Sequence, residues 1–220
     1  MEDNSKAAYC AEHPSKPHPT SRSQLRCQHL LSTARRLFAE QGFHQSGMSQ
    51  IARESGIAVG QIYRDFANKE AIITAICEES LQVWLAEETI EQAIAAGDHA
   101  AIRSWIEHLL VKESEFENRR MLVEILAETG RNPLIAQLNA DTLERFRRVL
   151  GMALDALIPG ATQACKVRIC DLSLVLCWGV LAGEELIPGL DADTFRTYAA
   201  DLLKKEIDRL STLPEGHACL

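Results

Sequence analysis

A chain of 220 residues, 46% hydrophobic and 25% charged, is long enough for one sizeable core or for a small module joined to a larger one. The longest uncharged apolar run, residues 172–183, is too short to span a bilayer and no signal-like segment opens the chain, so the reading is a cytoplasmic protein with no membrane partner. A net charge of −8 argues at first sight against a nucleic-acid partner, yet residues 21–70 hold seven Lys/Arg against four Asp/Glu. That segregation suggests a basic module that meets a polyanion and an acidic body that does not.

Residues 1–20, with three prolines and little that can pack, read as a disordered tail in which His13 and His18 make only a weak metal motif. Ser21 with Gln24 forms a capping box that opens helix one, which Gly42 closes. Helix two runs from about Met48 to Ser55 and stops at Gly56; helix three covers roughly Ala58 to Phe66. Asn68 then caps a long fourth helix toward Gly97, about 40 Å in length. Further helices are expected over 98–115 behind Asp98, 119–129 behind Asn118, 133–158 behind Asn132 and Pro133, 162–186, and 192–210. The expected class is all-α with about nine helices and no sheet. The seven cysteines are scattered and never spaced C-x2-C, so neither a disulfide framework nor a zinc site is indicated. Cys165, Cys170 and Cys177 leave a redox role open.

Helices two and three are too short to be stable alone, so neighbours must hold them. Met48, Ile51, Ala52, Ile57, Ile62 and Phe66 can turn inward against Leu37 and Phe38. Val59, Gly60, Gln61, Tyr63, Arg64 and Asp65 then face outward in various directions, the pattern of a helix-turn-helix whose second helix lays a few side chains into a major groove.

The stretches "ARRLFAEQGF", "IARESGI" and "GQIYRDFANKE" together resemble the N-terminal domain of the TetR family of bacterial transcriptional regulators. The resemblance implies a DNA-binding domain at 21–68 with its helix-turn-helix at 47–66, a connecting fourth helix at 69–97, a ligand-binding and dimerisation domain at 98–212, and a tail at 213–220. It places Tyr63 and Lys69 against phosphates and Gly60 where the backbone approaches closely, with Ser49 and Val59 on the same surface. An amide can pair with adenine and a guanidinium with guanine, which makes Gln61 and Arg64 the candidates for base edges. Gly47 stands where the family often has Thr or Ser, so Ser46 or the backbone must supply that phosphate contact. Ala58 replaces a usual hydroxylic cap, and Asp65 brings a negative charge near DNA.

In the larger domain "LSLVLCWGVLAG" is apolar all round, so both its own domain and a second subunit are expected to bury it. The implied dimer interface holds Leu176, Gly179 and Gly183 together with Phe195 and Leu202 on the last helix. An effector cavity, as implied by the family, would use Trp105, Phe116, Met121, Glu124 and Trp178 as walls. No nucleotide loop, metal-hydrolase motif or nucleophile elbow is found, so no enzyme, metal or cofactor is expected. The resulting expectation is a homodimeric repressor that binds near-palindromic double-stranded operator DNA and responds to an unidentified small molecule. An activator and a helical interaction module without DNA are the competing readings.

Overall fold

The computed structural model describes residues 21–111 and 119–212. Among them the chain forms ten helices and no strand: α1 (Arg22–Gln41), α2 (Met48–Ser55), α3 (Val59–Asp65), α4 (Lys69–Leu85), α5 (Glu87–Ala95), α6 (His99–Val111), α7 (Arg119–Glu128), α8 (Pro133–Leu157), α9 (Gln163–Leu186) and α10 (Ala192–Ser211). They group into two compact units, residues 21–80 with 119–139 and residues 81–111 with 140–212.

Local capping chemistry explains many of the boundaries. Ser21 and Gln24 exchange the two bonds of a capping box. Asn68 and Asp98 accept the amides of Ala71 and Ala101 at the starts of α4 and α6, and Asn132 does the same for Leu134 ahead of α8. Gly42 and Gly56 end α1 and α2 at φ +87° and +67°, where a Cβ is unwelcome.

In the first unit, α2 and α3 have 8 and 7 residues, below the roughly 12 that an isolated helix needs. Ile51 and Ile62 are fully buried among Leu37, Phe38, Phe43 and Phe66, and Met48, Ala52 and Ile57 pack against that cluster. Each fully buried isoleucine contributes about 1.5–3 kcal/mol. Met121 and Ile125 of α7 complete the same core. Thus α7 and the start of α8, expected within the larger domain, belong to the first unit.

In the second unit α10 packs on α6 and α9 over a core that includes Trp105, Phe146, Leu150 and Leu203. The single helix expected from Asn68 to Gly97 is two helices, which accounts for ten rather than nine. The break falls at Ala86, at φ 44° in the left-handed region. Side chains from elsewhere hold it: the Trp105 indole donates to the Leu85 carbonyl at 2.7 Å, while Trp84 donates to Leu109 and stacks on Phe146 at 5.3 Å. With 17 residues, α4 is about 26 Å long rather than 40.

Burial pushes the Cys77 and Cys177 thiols up to about 12 and Cys170 to about 11, which keeps them protonated and poorly reactive. No helix among the described residues is long and apolar enough to cross a membrane.

Candidate nucleic-acid interface

The outer face of α3 is open. Val59, Gly60, Tyr63 and Arg64 are exposed, Tyr63 to 54%. A Cβ built on Gly60 meets nothing within 4 Å, so the chain itself does not need a glycine there. Gln61 is half-buried and its Nε2 donates to both Asp65 carboxylate oxygens at 3.2 Å. Ala58, at the N-cap of α3, supplies no side-chain bond.

At the start of α2, Gly47 and Ser49 are exposed, but Ser46 is not available. It is buried, and its hydroxyl donates to the carbonyls of Leu37 at 3.2 Å and Gly42 at 3.0 Å, which fastens the α1–α2 loop. What remains is backbone. The amides of Gln50 and Ile51 both bond the Gly47 carbonyl, while those of Met48 and Ser49 stand at the helix start without an intrahelical acceptor. Such amides suit an anionic oxygen.

Lys69 is more occupied than expected. Its ammonium donates to the Phe43 carbonyl at 2.6 Å and lies 4.1 Å above the Phe43 ring. Burial holds its pKa below the ordinary value, opposed by Glu70 and Glu128. A lysine has three donors, so two remain for a phosphate.

The expected cavity walls are divided between the two units. Met121 and Glu124 lie in the first unit, whereas Trp105 and Trp178 lie in the second; Phe116 lies outside the described residues. Met121 is core. Glu124 Oε2 accepts the Phe43 amide at 3.0 Å, an anchor for the loop that leads into α2. Trp105 is core with its indole bound to Leu85.

Sequence reasoning missed the residues that hold the head together. His29 Nε2 lies 3.1 Å from the Ser55 carbonyl, His44 Nε2 pairs at 2.7 Å with the buried Glu128, and Arg26 stands 3.6 Å from Asp65. Their only sequence signal is polar residues beside apolar ones, which does not name a partner.

On α9 and α10 an apolar stripe stays exposed. Phe195 and Leu202 lie on it as expected, joined by Tyr198 at 57%, and Val175 at 67% marks it on α9 with Leu172 and Leu186. Gly179 is exposed and open. Leu176 instead packs on the unit's own core. Gly183 is buried, with the Leu190 side chain of the same chain 3.0 Å from where its Cβ would be, so it offers no surface to another helix.

Among the described residues the first unit holds a short helix-turn-helix seated on a hydrophobic core, with one face of its second helix left bare, the arrangement by which such a motif lays a helix into a major groove. Residues 30–76 match the family described as bacterial regulatory proteins, tetR family. It is 36% identical over 110 residues to the HTH-type transcriptional regulator UidR of Escherichia coli K12, covering 49% of this chain and 53% of that protein. It is 35% identical over 101 residues to the regulator AcrR of Shigella flexneri, covering 45% and 46%. The chain thus spans about half the length of the curated relatives it matches. Among solved structures, Salmonella enterica GusR aligns with a TM-score of 0.65 at 24% identity, over 89% of this chain and 100% of that one. SmeT, the repressor of the Stenotrophomonas maltophilia multidrug efflux pump SmeDEF, gives 0.65 at 20% identity over 81% and 88%. These likenesses establish the fold.

Proposed function

We propose that the chain is a sequence-specific DNA-binding regulator, a homodimeric repressor that leaves a near-palindromic operator when a small-molecule effector occupies its second unit. The observation that carries the DNA reading is the bare face of α3: Val59, Gly60, Tyr63 and Arg64 stay exposed while Ile62 of the same helix is fully buried. A helix of 7 residues that the core fixes on one side can lay its other side into a major groove. The stripe of Val175, Tyr198 and Leu202 supports a two-fold pairing through α9 and α10, which brings two reading helices to two half-sites. Repression and effector release are favoured by SmeT, which is described as a repressor and has been seen in complex with triclosan.

The test is fluorescence anisotropy of duplexes from the region flanking its own gene, at several salt concentrations. Expected are an affinity in the range of roughly 10⁻⁸ to 10⁻¹¹ M for one duplex and a steep loss with salt. Tyr63→Phe weakens binding on every sequence, because a phosphate contact carries no base information. Equal affinity for all duplexes, or an unaffected Tyr63→Phe, sinks the assignment.

A further inference from the structure

Asp65 sets a carboxylate at the last residue of α3. There it opposes the helix dipole and repels any phosphate backbone drawn up to Tyr63 and Arg64. Its contacts account for its presence. Both of its oxygens accept from Gln61 Nε2, one turn back, at 3.2 Å each. From α1, Arg26 Nη2 stands 3.6 Å from Oδ2, with the two side chains 35% and 23% exposed, and the same Nη2 donates to Ser23 Oγ at 3.2 Å. The carboxylate is thus placed between a cation on α1 and an amide on its own helix.

A carboxylate can only accept. Gln61 must therefore turn its amino group toward Asp65, which leaves Oε1 and the second amino hydrogen for an outside partner. An acceptor beside a donor is the edge that pairs with N6 and N7 of adenine in the major groove. The last torsion of a glutamine is broad and nearly two-fold, so an amide without this partner presents the reversed edge as readily.

We propose that Asp65 is a positioning residue for base reading: held by Arg26, it fixes the Gln61 amide in the orientation that selects adenine. The inference rests on the reading of α3 as the helix that enters the groove. A merely structural role is the alternative, since a Gln–Asp pair at this spacing also supports a helix, and the two roles differ in what they do to sequence preference.

The experiment is selection from a library of random duplexes by the full-length wild type and by Gln61→Ala, Asp65→Ala, Asp65→Asn and the Gln61→Ala/Asp65→Ala pair, with thermal midpoints as a check of folding. Expected for Gln61→Ala and Asp65→Ala is the same roughly tenfold loss of discrimination at the same A·T base pair. The double variant is no worse than either single one, as for two residues acting as one unit. Asp65→Asn falls between, because its amide can accept from Nε2 or donate to Oε1. Asp65→Ala also binds non-operator duplex more tightly, by roughly two- to fivefold, as one negative charge is lost and Arg26 is freed. If Gln61→Ala relaxes a base pair while Asp65→Ala keeps the wild-type preference, or lowers affinity uniformly on all sequences, the positioning role is overturned and the DNA reading stands. If Asp65→Ala fails to fold, Asp65→Asn decides: a preference as sharp as the wild type's overturns the role. A wild type that selects no sequence, or a Gln61→Ala that selects the wild-type one, overturns the reading of α3 and the inference with it.

Discussion

Glu124 accepts the amide hydrogen of Phe43 at 3.0 Å across 81 positions of sequence, and its carboxylate also fills the space over Gly42. A Cβ at Gly42 would lie 2.7 Å from Glu124 Oε2, at a φ of +87° that L side chains rarely adopt. Gly42→Ala therefore meets both backbone strain and a displaced carboxylate, and should cost about 1–3 kcal/mol of unfolding free energy. Glu124→Ala should cost about 1–2 kcal/mol by leaving the Phe43 amide without its acceptor, and Glu124→Gln, which keeps one, clearly less. Urea denaturation checks all three; equal losses for Gln and Ala would show that the bond to Phe43 is not what Glu124 contributes.

The head was legible in sequence because its signals are local. The capping box, the left-handed glycines and the apolar residues facing Leu37 and Phe38 each act within a few positions. Ala86 was not legible: no glycine or proline marks it, and the helix ends there because Trp105 takes the Leu85 carbonyl from 20 residues away. Ser46 and Glu124 failed for the same reason. A serine before a helix is ambiguous between a cap and a buried brace until the carbonyls of Leu37 and Gly42 are in place. A carboxylate in "MLVEIL" could as well have faced a ligand as the Phe43 amide. Pattern identifies which faces are buried, and tertiary partners decide what the polar groups among them do.

Lys69 gives a pH dependence with a definite sign. Burial depresses its folded pKa below the ordinary 10.5, so between the two values the unfolded chain holds more protons than the folded one. Stability linked to this group then rises with pH across that window and is lost as pH falls through the folded value. The difference in unfolding free energy between wild type and Lys69→Met should grow in favour of the wild type as pH is raised toward 10.5. A difference that shrinks instead would mean that Glu70 and Glu128 outweigh burial at this site.

Ala58 occupies the N-cap of α3 with extended backbone, φ −56° and ψ 133°, and no side-chain bond. Serine adopts that conformation without strain, and its hydroxyl can accept an otherwise unpaired first-turn amide. Ala58→Ser should stabilise the chain by about 1 kcal/mol, read as a raised thermal midpoint. An unchanged or lowered midpoint would mean that α3 takes its stability from the core beneath Ile62 alone.

The exposed stripe predicts how pairing fails. Val175 is 67% exposed, so Val175→Asp should leave the unit folded while placing a charge where an apolar partner is expected. Sedimentation should show the wild type as a dimer and this variant as a monomer with an unchanged helical signal. Gly183→Leu is a poor probe, since it first strikes Leu190 of its own chain; Gly179→Leu, with open space before it, tests close helix approach. A monomeric wild type, or a dimeric Val175→Asp, removes α9 and α10 from the interface.

The proposed coupling between DNA and effector can be tested before any effector is known. All three tryptophans, Trp84, Trp105 and Trp178, belong to the second unit, so their fluorescence does not report directly on the reading head. Helix α4 begins in the first unit at Lys69 and ends in the second at Leu85, one continuous hydrogen-bonded rod of about 26 Å. Its last turn carries Trp84, stacked on Phe146. If α4 carries a change from its first turn to its last, operator duplex should alter the emission of the free protein while a duplex of unrelated sequence does not. Linkage then requires that any effector found later, binding near those tryptophans, weaken operator binding by the factor by which operator weakens its own binding. For a coupling of 1–3 kcal/mol that factor is roughly 5- to 150-fold. Emission unmoved by saturating operator would mean that α4 transmits nothing between the units, and an effector would then have to act by another route.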